Sequence, residues 1–223
     1  DHFRGFAAAW HVPAGAETAR RGEWMPGPGA AFFEAIQREL GHLPFIAEDL
    51  GTITRDVTLL RDQFQVPGTR VLQFAFDGHA DNPYLPHNFI GNTVAYTGTH
   101  DNPPTREWYE QLPDSQKQTL WSYLKRQLLN SAEAAPALIE LAWSSVAALT
   151  IAPLQDVLDL GVGSRMNVPG RPGGNWRWRF SEDTSTSAFQ WLCELTERSK
   201  RFGNSETHTR DDKPQGATLV RAT

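Results

Sequence analysis

Cysteine is almost absent from these 223 residues: Cys193 stands alone. One thiol excludes an internal disulfide framework, cannot build a zinc site and fits a reducing, cytoplasmic setting. Its neighbours Phe189, Trp191, Leu192 and Leu195 predict a packed thiol rather than a nucleophile. A basic excess is missing too. The 21 Lys and Arg are outnumbered by 26 Asp and Glu, for a net charge of -5. Few cations are therefore available to neutralise phosphates, and no nucleic-acid partner is expected. Walker-type and dinucleotide glycine loops are lacking, and His2, His11 and His100 share no metal-ligand spacing.

A continuous membrane span is also lacking. The longest apolar stretch, Ala134 to Leu154, is broken by Pro136, Glu140, Ser144, Ser145 and Pro153, whereas a span needs about 20 apolar residues in one helix. No membrane role is expected. The sequence opens on Asp1-His2-Phe3-Arg4 with neither an initiator Met nor a signal peptide, and it reads as a piece cut from something longer.

What is present is a soluble, globular composition, 39% hydrophobic and 21% charged, at a length able to bury a full core. Phe32, Phe33, Ile36 and Leu40 recur at helical spacing and Gly41 follows as a stop. Leu43 to Ala47 reads as a short buried strand. Thr54 is placed to cap a helix over Arg55 to Phe64, with Val57, Leu60 and Phe64 on one face. Pro67-Gly68 predicts a turn into a buried strand over Arg70 to Phe76, and Thr93 to Thr97 predicts another. Helices are expected around Ser115 to Leu129 and Ala137 to Ala148. Strands alternating with helices predict an α/β fold with a parallel sheet and crossovers. Residues 1–202 form the expected domain. The Asn-, Ser-, Thr-, Asp- and Lys-rich segment 203–223 has no apolar period and is expected to be a disordered tail.

In parallel α/β proteins, functional residues gather at the carboxyl ends of strands. Three acidic positions fit. Glu48-Asp49 follows one strand, His100-Asp101-Asn102 follows another, and Asp1 precedes a glycine-containing aromatic run. Glu48 lies 47 residues after Asp1, and Asp101 lies 53 after Glu48, so the three belong to different βα units that converge if the units form one barrel. Acids at strand ends equally serve as helix caps and hydrogen-bond partners. Trp10, Trp24, Trp108, Trp176 and Trp178 fall in or beside predicted loops. Indoles stack on apolar sugar faces, whereas Asn, Asp, His and Arg suit sugar hydroxyls; large aromatics also simply pack. The interleaved Asn175-Trp176-Arg177-Trp178-Arg179 lacks the wider basic stripe that nucleic-acid stacking needs.

Six blocks taken together resemble amylomaltase, the 4-alpha-glucanotransferase or disproportionating enzyme. They are Asp1-His2-Phe3-Arg4-Gly5-Phe6, Ile46-Ala47-Glu48-Asp49-Leu50-Gly51, Pro67 to Phe76, Tyr96-Thr97-Gly98-Thr99-His100-Asp101-Asn102, Arg165-Met166-Asn167-Val168-Pro169-Gly170 and Asn175 to Arg179. The blocks run in family order from Asp1 to about Phe202. The resemblance implies the C-terminal part of a TIM (β/α)8-type barrel of the alpha-amylase clan, lacking the early strands and leaving two exposed sheet edges. It implies an enzyme that passes an alpha-1,4-glucan segment to the 4-hydroxyl of an acceptor glucose or glucan through a covalent glycosyl-enzyme. Asp1 aligns with the nucleophile, Glu48 with the general acid/base and Asp101 with the group favouring the transition state. His2, His100, Asn102, Trp10, Phe74 and Asn175 are the substrate-binding candidates, with maltodextrin as donor and glucose or maltooligosaccharide as acceptor. No metal or organic cofactor is implied. The alternatives are a catalytically inert, glucan-binding fragment and an amylase-type hydrolase.

Overall fold

The computed structural model describes residues 2–181 and 186–202. Asp1, the expected nucleophile, and segment 203–223, the expected tail, lie outside the described residues. The chain begins with a short helix α1 (Arg4–Ala7) and a hairpin of β1 (Ala8–His11) and β2 (Glu23–Pro26). Two helices follow, α2 (Gly29–Leu40) and α3 (Arg55–Gln63), then strands β3 (Gly68–Val71) and β4 (Thr93–Tyr96). Beyond them come α4 (Thr105–Gln111), α5 (Asp114–Leu124), α6 (Ala134–Ser144), β5 (Leu149–Ile151), α7 (Leu154–Val157) and α8 (Thr186–Arg198).

β3, β4 and β5 form one parallel sheet in sequence order. Parallel bridges Ala47–Gly68 and His2–Glu48 continue it beyond β3. Five strand positions thus lie side by side in chain order, all parallel, as successive βα units require. β4 is buried along Thr93, Val94 and Ala95 because neighbours pair on both its edges. β5 has no partner beyond it among the described residues, and Leu149 there is exposed.

Two apolar clusters hold the layers together. Phe3, Phe33, Ala47, Val57, Leu60 and Val66 lock α2 and α3 against the first strand positions. A larger cluster around Leu72, Phe76, Leu120, Leu138 and Ile139 joins β4 and the segment just after β3 to α4, α5, α6 and α8. α2 ends as its sequence predicts. Gly41 takes a left-handed φ of 74° and its N–H returns to the Gln37 carbonyl at 2.8 Å. A Gly41→Ala variant is expected to lose roughly 1 kcal/mol, because an L side chain strains that conformation; urea unfolding measures it.

Several local expectations change in three dimensions. Leu43 to Ala47 forms no full strand; only Ala47 and Glu48 bridge. The strand expected to reach Phe76 stops at Val71 and tightens into a 3₁₀ turn over Leu72–Phe74. That turn sends Gln73 inward, where its side-chain N–H donates to the Pro103 carbonyl. Thr54 occupies the N-cap position, yet its side chain does not cap α3; its hydroxyl accepts from Arg4 instead. Within Ala134 to Leu154 the helix ends at Ser144 and β5 takes Leu149–Ile151, and no helix among the described residues is long and apolar enough to cross a membrane. Cys193 is exposed, not packed. Leu195 on α8 is buried instead, and Cys193 sits on the opposite side of the helical period.

Candidate active site

The carboxyl ends of the parallel strand positions converge on one face. There Ile46, Glu48, Tyr96, Ile151, Gln155 and Met166 line a cavity of about 460 Å³, with the loop Gly98–Pro104 on its rim. Beside it a groove of about 480 Å³ runs between Glu48, Phe74, Tyr84, Asp101, Asn102 and Pro169. Glu48 belongs to both. Its carbonyl accepts the Phe3 N–H at 2.9 Å, which fixes the strand end while the side chain stays half-buried. Burial, reinforced by the negative charge of Glu48, lifts the Tyr96 phenol above its ordinary pKa.

Asp49, adjacent in sequence, does different work. It is buried and accepts from Arg61 of α3, from the Thr69 backbone N–H at 2.8 Å and from Arg70 at 3.3 Å. Alternation along the extended backbone sends the two neighbouring acids to opposite sides.

Asp101 rides on the loop after β4. Its Oδ1 accepts the Asn167 side-chain N–H at 2.5 Å and lies 3.4 Å from His100 Nε2. Its own carbonyl accepts from Arg165 Nη2 at 2.5 Å, and the Asn167 backbone N–H reaches the His100 carbonyl at 3.0 Å. The 165–167 segment therefore grips the Asp101 loop by backbone and side chain together. The His100 ring lies against Trp176, with centroids 5.1 Å apart and planes tilted by 33°. Asn102 Oδ1 accepts both the N–H and the hydroxyl of Thr99, each at 2.9 Å, closing the turn on itself.

Beneath this loop lies a residue the sequence did not single out. Asp156, at the start of α7, is buried and takes the Thr97 hydroxyl at 2.5 Å, the Thr105 hydroxyl at 2.6 Å and the Thr105 N–H at 2.7 Å. Thr97 and Thr105 bracket the loop that carries His100, Asp101 and Asn102, so Asp156 pins both its ends. Burial raises the Asp156 pKa above the carboxylate norm, against the three donors that lower it. A raised folded-state pKa gives stability that is full below the unfolded value, about 3.9, and lost as pH rises through the folded value. Asp156→Asn cannot titrate. The stability of the wild type minus that of the variant is expected to fall as pH rises from about 4; urea titrations at several pH values measure it, and a flat or rising difference contradicts the assignment.

The structure brings Glu48, Asp101, Asn102 and Phe74 to one groove, with His100 on the rim of the adjoining cavity. It places the other candidates elsewhere. His2 and Trp10 line a separate hollow with Arg4 and Trp24. Both His2 ring nitrogens are engaged by backbone, Nε2 with the Leu50 carbonyl and Nδ1 with the Arg4 N–H. The Asn175 amide is spent within its own loop, accepting from Val168 N–H at 3.1 Å and donating to the Arg171 carbonyl at 2.9 Å. Trp108 packs on the larger core, and Trp10 and Trp24 are hairpin residues rather than loop residues. Arg165, Asn167 and Asp156 went unassigned for want of a sequence signal: two of them stand in a motif block, but their partners are over 50 residues away.

Two carboxyl groups from different strand ends thus face one groove with aromatic walls and an amide rim, next to the cavity that His100 borders. One is set near a half-buried phenol and the other is held by the Asn167 amide beside His100. That pairing suits proton transfer at a polyhydroxylated ring and stabilisation of developing positive charge. Among the described residues no three His, Cys, Asp or Glu side chains are placed to hold a metal ion.

The sequence profile of a family described as 4-alpha-glucanotransferase matches residues 1–185. The chain is 51% identical over 212 residues to a 4-alpha-glucanotransferase of Synechocystis sp., covering 94% of this chain and 41% of that protein. It is 50% identical over 184 residues to a 4-alpha-glucanotransferase of Thermus thermophilus, covering 80% of this chain and 37% of that one. The solved amylomaltase from Streptococcus agalactiae in complex with acarbose superposes with a TM-score of 0.84 at 36% identity, over 90% of this chain and 40% of that one. The chain is a mixed α/β fragment of that fold, spanning about two fifths of the length of these relatives.

Proposed function

This chain belongs to the 4-alpha-glucanotransferase family, and we propose that, within a protein of its relatives' full length, it transfers an alpha-1,4-glucan segment to the 4-hydroxyl of an acceptor glucose or glucan. The observation that carries the proposal is the placement of Glu48 and Asp101 on one aromatic-walled groove. The reading takes the chain as the C-terminal part of a (β/α)8 barrel of the alpha-amylase clan, supported by the order of its motif blocks. A cytoplasmic site of action belongs to the same reading, supported by the lone cysteine.

In the first step the carboxylate of Asp1 attacks the anomeric carbon while Glu48 gives its proton to the departing glycosidic oxygen. In the second, Glu48 takes the proton of the acceptor 4-hydroxyl, whose oxygen displaces Asp1 from the anomeric carbon. The Asp1 role rests on the Asp1-His2-Phe3-Arg4 motif. The retaining route asks for carboxyl groups roughly 5 Å apart. Asp101, held by Asn167 beside His100, is fixed before substrate arrives, so its charge and acceptor lone pairs stabilise the cationic sugar without reorganisation. Phe74 and Tyr84, at 5.5 Å between ring centroids, supply an apolar wall where an acceptor sugar displaces water. That displacement is what favours transfer over hydrolysis. None of these steps calls for a metal.

Maltotriose tests the reaction class. Transfer yields glucose together with maltodextrins longer than the substrate; glucose and maltose without lengthening identify a hydrolase. Because the chain spans about two fifths of its relatives, the 223 residues alone are expected to retard in a starch gel without degrading it. Transfer by the isolated chain overturns that binding-only reading of the fragment.

A further inference from the structure

The hairpin β1–β2 presents two tryptophans that the core does not use. Trp10 and Trp24 are direct cross-strand partners, 40% and 54% exposed, with ring centroids 5.5 Å apart and planes at 62°. They are nonetheless held in place. The Trp10 indole N–H donates to the Ala19 carbonyl at 2.8 Å. Gly22 closes against the same ring, where an added Cβ would stand 2.8 Å from its atoms. Trp24 lies under the Arg4 guanidinium, 5.5 Å from its centroid. Arg4 is tied in turn to the Thr54 hydroxyl at 3.2 Å and to the Thr52 carbonyl. An isolated two-stranded ribbon is marginal in water; this one is braced so that its indole faces keep one orientation toward solvent.

These rings wall a hollow of about 460 Å³ whose floor is Leu50, Gly51 and Thr52. Leu50 and Gly51 also line the groove that holds Glu48 and Asp101, so the two depressions share a floor. We propose that the Trp10–Trp24 hairpin is a second sugar-binding platform, which takes the part of an alpha-1,4-glucan chain extending beyond the Glu48–Asp101 groove. The proposal rests on the glucan reading of that groove. The chemistry fits such an occupant. Pyranose rings offer C–H faces to indoles, ordered aromatics bind at little conformational cost, and the Leu50–Gly51 lining common to both depressions sets the hairpin next to the groove. Binding here acts on chain length: a disaccharide fills the groove, and only longer glucans reach the hairpin.

The test titrates the 223-residue chain with maltose and with maltoheptaose by calorimetry, comparing wild type, Trp24→Ala, Trp24→Phe and Phe74→Ala. Trp24→Ala is expected to weaken maltoheptaose about tenfold, roughly 1.4 kcal/mol, and to leave maltose within about twofold. Trp24→Phe restores most of the loss, which separates stacking from a folding defect. Phe74→Ala weakens both sugars. Unchanged maltoheptaose affinity in Trp24→Ala overturns the platform. So does an equal loss for maltose, or a wild-type chain that binds no maltoheptaose. Failure of the groove reading looks different: Phe74→Ala is then silent for both sugars while Trp24→Ala still weakens maltoheptaose.

Discussion

Glu48→Gln in an enzyme of full family length is expected to lower maltotriose disproportionation by about 10²- to 10⁴-fold while leaving sugar affinity largely intact. Gln keeps the shape and the hydrogen-bonding reach of Glu but has neither an acidic proton to donate nor a basic carboxylate to accept one. Both halves of the reaction then suffer, because the leaving oxygen departs unprotonated and the acceptor hydroxyl attacks with its proton still on. The defect is selective in a way that misfolding is not. A maltosyl donor with a good leaving group, such as fluoride, needs no acid in the first step, so the variant is expected to form its glycosyl-enzyme from it far faster than from maltotriose. Initial rates of glucose release and of fluoride release measure the two. Near wild-type disproportionation removes Glu48 from the mechanism, and equal losses on both donors remove the acid role.

Asp49→Ala is the mirror experiment, large in stability and placed one residue away. Its side chain is only 2% exposed and draws together Arg61, Arg70 and the Thr69 N–H. Removing it leaves the Arg61 guanidinium, itself 10% exposed, with Asp62 as its remaining carboxylate partner. The Thr69 N–H at the start of β3 loses its acceptor as well. Breaking a buried ion pair from one side costs roughly 3–5 kcal/mol, because a charge stays behind without its partner. Denaturant unfolding is expected to show that loss, and Asp49→Asn, which still accepts from Thr69, is expected to lose less. A change below about 1 kcal/mol would place the pair among those that contribute little. Gly68 belongs to the same unit. An added Cβ there would meet Asp49 Oδ2 at 2.7 Å and Arg61 Nη1 at 2.9 Å, so Gly68→Ala is expected to be non-additive with Asp49→Ala.

Much of the fold was legible along the chain. α2 and α3 could be read from apolar spacing, and β4 from its short β-branched and aromatic run, because these patterns report which residues are buried. The extent of β3 was not legible. Its strand-like run continues to Phe76, but Gln73 needs the Pro103 carbonyl and the Thr105 hydroxyl, and only the folded chain brings those within reach. The hairpin Ala8–Pro26 escaped notice because eleven residues separate its two strands, outside the short turn signatures that mark hairpins.

Residue chemistry and motif order by themselves determined the family, the reaction class it implies and the candidate carboxylates, since these depend on which side chains occur and in what sequence. Tertiary structure decided their division of labour. Glu48 and Asp49 are indistinguishable as a dipeptide; the pleat turns one into the groove and the other onto Arg61. Asn175 resembles a sugar ligand in its motif, yet its amide is occupied by Val168 and Arg171. Asp156 carries no motif and holds both ends of the Asp101 loop. Local sequence specifies period and chemistry, whereas the partner of a polar group is set by residues tens of positions away, and only the folded backbone brings the two together.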